Sequence, residues 1–169
     1  MTQQFLPTKE IEKKLREFKL SGILQTLEMR CKQATDDNFG YIEFLSLLLE
    51  DETNRRMDNK HARLYRQAHL PFEKGLEDFD FTFQPSIKKQ EILELATLRF
   101  LDKKANILFL GLPGTGKTHL AVSLALKALG HGKTVLFTTV WDMINNLQQS
   151  RADYSYQRKI RDYLKPDLL

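Results

Sequence analysis

The residues best suited to chemistry form a glycine-rich run that ends in lysine and threonine. Gly111, Gly116, Lys117 and Thr118 have the spacing G-x-x-x-x-G-K-[ST], between an apolar run at 107–110 and a helical pattern. Glycines permit backbone angles at which successive N–H groups point into one anion-sized hollow. That hollow would open onto the N-terminus of the next helix, whose free N–H groups favour phosphate. The pattern predicts a binding loop for a nucleoside triphosphate.

Two side chains of this loop have expected roles. The Lys117 ammonium can reach the β- and γ-phosphates, and the Thr118 hydroxyl is the candidate magnesium ligand. His119 is interpreted as a helix residue rather than as a base. The alternative is a glycine-rich turn that matches by chance, but the strand, loop and helix context favours binding. The candidate nucleotide-binding residues are Gly111, Leu112, Pro113, Gly114, Thr115, Gly116, Lys117, Thr118 and His119.

Positive charge is concentrated in the half of the chain that contains this loop. The net charge is +4 over 169 residues, and residues 84–169 hold 13 Lys and Arg against 7 Asp and Glu. Residues 1–83 hold 13 against 15. Such a basic half is typical of proteins that handle a polyanion, although many basic domains bind no nucleic acid. A basic run at 55–66 is interpreted first as a solvated helix face, with nucleic-acid contact as the alternative.

Cysteine usage and hydropathy restrict the cellular setting. Cys31 is the single cysteine, and its place in a helical pattern with Leu24 and Leu27 predicts a buried thiol. The N-terminus does not resemble a signal peptide, and the longest apolar runs are too short to cross a bilayer. The four histidines lack metal-ligand spacing. We expect a cytoplasmic protein without a membrane segment.

Hydrophobic periodicity predicts a helical first half and an α/β second half. Thr8 is the expected N-cap of the first helix, Ser21-Gly22 the break after it, and Ser86 the N-cap of a later one. Continuous apolar or β-branched runs predict buried parallel strands. The predicted helices cover residues 8–19, 24–34, 41–68, 87–101, 117–130, 140–150 and a last stretch to 164, and the predicted strands cover residues 107–110 and 134–139.

A short aromatic segment joins the two halves. In residues 76–86, Phe79, Phe81 and Phe83 alternate with polar residues at period two. This period predicts an extended strip with one face on a neighbouring surface. On geometry alone, rings that seal a domain junction are the simpler interpretation.

Several segments together resemble the IstB-like ATPases, which are transposition helper proteins of the AAA+ superfamily related to the DnaC helicase loaders. The resemblance also includes the helical half, through LSGIL and FLSLLLEDETNRR, and so covers nearly the whole chain. The segments that make it specific are LEDFDFTFQPSI (76–87), ILELATLRFL (92–101), NILFLGLPGTGKTHLAVSLALKAL (106–129) and TVLFTT (134–139).

The resemblance implies an α/β fold in three parts. A helical domain for partner or DNA contacts would span residues 1–75 and the aromatic linker residues 76–86. Residues 87–169 would form the first part of an AAA+ P-loop domain, with the Walker A loop and an incomplete parallel sheet. The implied cofactors are ATP and Mg²⁺. The implied partners are DNA, bound without strong sequence preference, a transposase or a replicative helicase, and further copies of the chain assembled on DNA.

The resemblance also gives expectations for the linker and for hydrolysis. The linker lies near the adenine in that family, so its three rings are candidates for the pocket edge. AAA+ ATPases use two acidic residues at the end of the next strand, a sensor, an arginine finger and a lid, and this sequence ends where that strand begins. Asp167 is rejected as a substitute because it follows Lys165-Pro166 rather than an apolar strand. We therefore assign no catalytic residue.

The implied strand order has a consequence for stability. The strand after Pro166 would lie between residues 107–110 and residues 134–139, leaving both with unpaired edges. We expect residues 1–169 alone to show no ATPase activity and to have an unstable second half. Three functions stay open: an ATP-binding transposition helper, a DnaC-like helicase loader, and a non-catalytic interaction module or disrupted gene product.

Overall fold

The structure is a computed structural model that describes residues 8–152 and 154–169. The chain divides into two compact units, residues 1–60 and residues 61–169. The boundary falls within the longest helix, α3 (Tyr41–Ala68), whose predicted bounds are confirmed. The functional division at residues 75 and 86 stays a prediction.

The first unit contains α1 (Thr8–Glu17), α2 (Ser21–Asp36) and the first part of α3. α1 begins where predicted, and the capping side chain of Thr8 lies outside the described part. The predicted break at Ser21-Gly22 is wrong, because Lys19, with φ 58°, separates the two helices and Ser21 opens α2. Gly22 is instead needed for close packing, since a Cβ there would lie 2.6 Å from the Glu52 Cα atom.

A buried carboxylate joins α2 to α3 beside that glycine. Glu52 accepts a hydrogen bond from the Gly22 N–H at 2.7 Å and another from the Arg56 side chain at 2.6 Å. At the residue that precedes Glu52, the Arg30 guanidinium of α2 donates two bonds of 2.8 Å to the Asp51 carboxylate. The bond from Gly22, with a second from the Ile23 N–H at 3.4 Å, satisfies N–H groups at the start of α2 that the helix cannot satisfy itself.

The predicted burial of Cys31 is wrong, because its side chain is exposed. α2 packs through Gly22 and Ile23 in its first turn, and both residues are buried. Leu24 and Leu27 are only half-buried, so the later turns of this helix lie closer to solvent. The helical spacing of Cys31 was therefore a poor guide to its burial.

The second unit holds the rest of α3 and five further helices within the described residues. None of the described helices is long and apolar enough to span a bilayer. α6 and α8 agree with the predicted helices, and α7 extends two residues beyond its predicted end at 150, to Ala152. The five helices are α4 (Lys89–Leu95), α5 (Arg99–Asp102), α6 (Lys117–Gly130), α7 (Val140–Ala152) and α8 (Tyr156–Leu164).

The single helix predicted over residues 87–101 is wrong. α4 begins only at Lys89, and its N-cap residue is Lys88, whose side chain forms no capping hydrogen bond. Ser86 is therefore not the N-cap of this helix. Leu98 then adopts a left-handed conformation with φ 62° and separates α4 from α5. This bend lets both Leu98 and Phe100 join the buried core. Burial of two large apolar side chains offsets the strain of one left-handed residue.

The core of the second unit is built around α6. The helical spacing of Leu120, Leu124 and Ala128 predicts that they share the inward face of this helix, and all three are buried. Residues from α3, the α4–α5 region and the chain near Val135 pack with this helix. The buried cluster contains Leu64, Ala68, Leu98, Phe100, Ala125, Ala128, Leu129 and Val135.

The two predicted strands are not formed in the described part of the chain. Residues 107–110 and 134–139 run without helix, but they do not pair with each other. A single parallel bridge joins Val135 to Leu168, with Leu136 N–H donating to Leu168 O at 3.0 Å. A cavity of about 640 Å³, lined by Ile107, Phe109 and Phe137 among others, opens beside these segments. A strand needs a hydrogen-bonded neighbour, and here the neighbour is limited to one bridge.

Candidate nucleotide-binding site

The glycine-rich loop ends directly at the first residue of α6. Gly114 has φ 79° and Gly116 has φ 83°, which is the left-handed region that costs an L-residue about 1–2 kcal/mol. The Thr115 hydroxyl donates to Leu112 O at 2.9 Å and closes the turn between them. The two glycines therefore permit the sharp turn that brings the chain onto the axis of α6.

The N-terminus of α6 presents backbone donors without acceptors. The first helical bond runs from Leu120 N–H to Gly116 O, at 3.0 Å. In residues 8–152 and 154–169, no acceptor is bonded to the N–H groups of Lys117, Thr118 or His119. No side chain caps this end of the helix. Unsatisfied donors at a helix N-terminus, together with the helix dipole, attract an anion.

Lys117 lies over the loop that precedes it. Its ammonium donates to Gly111 O at 3.0 Å and to Leu112 O at 2.6 Å. No ion pair joins Lys117 to a carboxylate in the described residues. The cation is therefore held at the loop by neutral carbonyl groups, which leaves its charge available to an anion.

Thr118 is exposed beside this lysine. No hydrogen bond from its hydroxyl is formed within the described chain. Hydroxyl oxygen is a ligand type that Mg²⁺ accepts next to phosphate. The geometry leaves Thr118 free for that use, and its role as a magnesium ligand stays a prediction.

The aromatic linker packs onto the start of α6. A Cβ at Gly116 would lie 2.5 Å from Cε2 of Phe79, so this ring occupies the space beside the glycine. The Phe79 ring also meets the His119 ring edge-on, at 5.2 Å between centroids. The His119 Nε2 atom is hydrogen-bonded to Gly75 O at 3.0 Å. His119 thus anchors the linker, in agreement with its interpretation as a helix residue.

The prediction that the linker is extended is wrong. Residues 76–86 form successive turns, in which the Asp80 carboxylate accepts hydrogen bonds from the N–H and the hydroxyl of Thr82. Phe79 and Phe81 lie together at 4.9 Å, whereas Phe83 is exposed. The short-range bonds of Asp80 compete with an extended strip. Period-two spacing alone did not reveal this turn.

The linker also borders a cavity of the second unit. Its volume is about 830 Å³, and its lining includes Phe79, Phe81, Lys89, Lys127 and His131. The loop residues 111–118 do not line it. Phe79 therefore contacts the start of α6 and also lines this cavity, together with Phe81. The sequence identified the three rings as a group and gave no signal to separate Phe79 from the others.

Asp167 has a structural role. Its carboxylate accepts hydrogen bonds from the N–H and the hydroxyl of Thr134, at 2.7 and 2.6 Å. These bonds hold the pKa of Asp167 below its ordinary value. The residue thus fixes the last residues of the chain to the start of residues 134–139. It is bonded neither to Lys117 nor to Thr118, which agrees with the rejection of Asp167 as a catalytic acid.

Comparison with known proteins gives consistent matches over nearly the whole chain. Residues 13–169 match the protein family described as IstB-like ATP binding protein. A Geobacillus stearothermophilus protein named for ATP binding in insertion sequence IS5376 is 41% identical over 80% of this chain. A Pseudomonas aeruginosa protein named for ATP binding in insertion sequence IS21 is 37% identical over 90% of it. An insertion-sequence protein of Mycobacterium tuberculosis, also named for ATP binding, is 38% identical over 92%.

These relatives are longer than the chain described here. The matched regions cover 54%, 57% and 62% of their respective lengths. The chain thus spans between about half and three fifths of the curated relatives it matches. The matched part includes the glycine loop, α6 and the aromatic linker.

Proposed function

Because the chain belongs to the IstB-like ATP-binding protein family, we propose that it binds ATP at residues 111–119 and acts as a DNA-associated helper of a transposase. The observation that carries the nucleotide assignment is the row of free N–H groups at the start of α6. These donors follow two left-handed glycines and lie beside a lysine that no carboxylate neutralises in the described chain. Together they form a hollow suited to a polyphosphate.

Each residue of the loop has a distinct part in this proposal. Lys117 exchanges its two carbonyl partners for phosphate oxygens, whose negative charge attracts the ammonium more strongly than a neutral carbonyl dipole does. The exposed Thr118 hydroxyl holds Mg²⁺. The bound ion would neutralise the phosphate charge. Phe79, held against Gly116 and His119, is the ring that we place at the edge of the base pocket.

Calorimetric titration with MgATP tests the loop. We expect Lys117→Ala to lower the affinity at least tenfold, because one charged hydrogen bond contributes about 1.5–3 kcal/mol. Lys127→Ala is the matched control, since Lys127 is an exposed lysine in the last turn of the same helix. Equal loss in both variants, or no loss in either, would contradict the assignment of the loop.

We place the DNA contact on the basic side of α8. Arg158, Arg161 and Lys165 are exposed and recur at helical spacing. None of the three forms an ion pair within the described residues. Unpaired cations on one helix face favour the phosphate backbone without reading its bases, which fits sequence-tolerant binding.

Salt dependence tests this surface. Each lost phosphate contact reduces the slope of log K against log salt by about 0.9, so the triple serine variant should lose about 2–3 units of slope. Lys9→Ser with Lys13→Ser and Lys14→Ser, on α1 of the other unit, provides the charge-matched control, since it also removes three exposed cations. An unchanged slope in the α8 variant would remove this helix from the DNA interface.

A transposase is proposed as the partner rather than a replicative helicase. The relatives described above are named for insertion sequences, and this supports the transposition context. We also propose that the whole protein assembles on DNA as a homo-oligomer and that residues 1–169 alone hydrolyse ATP no faster than background. Binding of the purified transposase and of a helicase to the chain, measured side by side with MgATP, distinguishes the two partners.

A further inference from the structure

The first turns of α3 carry apolar side chains on more than one side. Seven of the nine residues from Tyr41 to Leu49 are aliphatic or aromatic. A surface helix normally buries one apolar stripe and exposes a polar face, whereas a helix that is apolar all round is covered on all sides. The sequence thus provides more apolar surface here than a single neighbour can cover.

The structure covers one side of this segment and leaves the other open. Leu48 and Glu52 pack inward, where Glu52 meets Gly22 and Ile23 of α2. On the outer side, the exposed fraction is 77% for Ile42, 50% for Leu45 and 52% for Leu49. Their i, i+3, i+7 spacing makes a continuous apolar stripe, which we call the α3 stripe. Tyr41, exposed at 95%, extends it at the start of the helix.

The segment around the α3 stripe is acidic. Residues 33–54 contain six Asp and Glu and no Lys or Arg. Two of the six are neutralised within the unit, because Asp51 pairs with Arg30 and Glu52 pairs with Arg56. Glu43 and Glu50 are exposed and form no ion pair in the described residues. They follow one flank of the stripe seven residues apart, which is about 10.5 Å along a helix.

We propose that the α3 stripe docks an amphipathic helix of a partner protein that carries Lys or Arg along one flank. The apolar face of that helix lies on Ile42, Leu45 and Leu49, and its cations, also seven residues apart, meet Glu43 and Glu50. Helix-in-groove binding uses apolar anchors at this same spacing. The proposal is independent of nucleotide binding by the second unit.

Charge argues against two other occupants. An antiparallel two-fold contact with a second copy would place the Glu43 and Glu50 flanks of both copies along one edge, and such like-charge contacts cost several kcal/mol. The phosphate backbone of DNA is repelled for the same reason. A basic helix is the occupant that gains from both the apolar stripe and its acidic flank.

A labelled peptide provides a direct probe. Fluorescence anisotropy with the full 169-residue chain would compare the leucine–lysine peptide LKKLLKLLKKLLKL with the same peptide carrying Glu for every Lys. We expect the basic peptide to bind at least tenfold more tightly. Ile42→Ser with Leu45→Ser should weaken it at least tenfold, whereas Val140→Ser with Ile144→Ser, which removes exposed apolar side chains of α7, should change it less than twofold.

Charge reversal adds a second variant that leaves the apolar stripe intact. Glu43→Lys with Glu50→Lys should weaken the basic peptide at least tenfold and make the acidic peptide the tighter ligand. Equal binding of the two peptides by the unaltered chain would overturn the proposal, and so would affinity unaffected by Ile42→Ser with Leu45→Ser. Sedimentation showing a dimer that Ile42→Ser dissolves would assign the stripe to a second copy instead. Slow hydroxyl-radical oxidation of Tyr41 and Ile42 in the isolated chain would assign it to an internal contact.

Discussion

Replacing Gly116 by alanine should displace the linker ring from the start of α6. The added Cβ would lie 2.5 Å from Cε2 of Phe79 and 3.1 Å from Cζ. Non-bonded carbon atoms do not approach so closely, and Phe79 is a large rigid ring. Gly114→Ala is the matched control, because Gly114 has a similar positive φ of 79° and no atom within 4 Å of its Cβ position.

The expected cost follows from two separate effects. Alanine in a left-handed conformation costs about 1–2 kcal/mol at either glycine. At Gly116 the displaced ring also loses its edge-on contacts with Phe81 at 4.9 Å and with His119 at 5.2 Å. Such aromatic pairs contribute about 0.5–1.5 kcal/mol each. We therefore expect about 1–2 kcal/mol for Gly114→Ala and about 2–5 kcal/mol for Gly116→Ala.

Hydrogen exchange at residues 75–81 and 117–123 measures the free energy of local opening at this contact. A double-mutant cycle with Phe79→Ala isolates the ring from the backbone strain. In the Phe79→Ala background, the cost of Gly116→Ala should fall to that of Gly114→Ala. Equal costs at the two glycines in the unaltered chain, or a cost at Gly116 that Phe79→Ala does not change, would refute the contact and the placement of Phe79 at the base pocket.

Three further changes test other parts of the structure. Gly22→Ala should lower the free energy of unfolding of the first unit by about 1–3 kcal/mol, because its Cβ would meet the Glu52 backbone, whereas Gly40→Ala has open space and should be nearly neutral in thermal melts. The pKa of Asp51 lies at about 2, below its ordinary 3.8, because Arg30 donates hydrogen bonds to its carboxylate. The Asp51–Arg30 pair therefore stabilises the folded state above pH 3.8, and this stabilisation is lost as the pH falls to about 2. Asp51→Asn should make the free energy of unfolding less dependent on pH between these two values. ATP turnover by residues 1–169 should equal that of Lys117→Ala in a phosphate-release assay, and a higher rate would contradict the proposal that these residues alone do not hydrolyse ATP.

The long periodic helices could be predicted from the sequence because local spacing determines them. α3 and α6 have the predicted bounds, and Leu120, Leu124 and Ala128 face inward as expected. Leu98 could not be predicted, since its left-handed conformation depends on core contacts that are distant in sequence. Tertiary packing overrode the helical periodicity of residues 87–101.

In the candidate site, too, the residues of a local motif could be predicted from the sequence, whereas contacts between distant residues could not. The loop motif predicts Gly116, Lys117 and Thr118 as binding residues because phosphate binding requires those residue types in that order. The contact of Phe79 with Gly116 and the bond from His119 to Gly75 join residues some 40 apart, and no local pattern encodes them. The strands at 107–110 and 134–139 were expected from composition, yet strand formation requires a hydrogen-bonded neighbour as well as apolar residues.

Amide chemical shifts in the presence of MgATP test the central claim most directly. With the ¹⁵N-labelled chain, we expect saturable shifts at Gly114, Gly116, Lys117 and Thr118, since their N–H groups would become phosphate donors. Lys117→Ala should move the midpoint to at least tenfold higher ATP concentration. Shifts confined to residues around the cavity lined by Lys89, Lys127 and His131, with the loop unaffected, would contradict nucleotide binding at the glycine-rich loop.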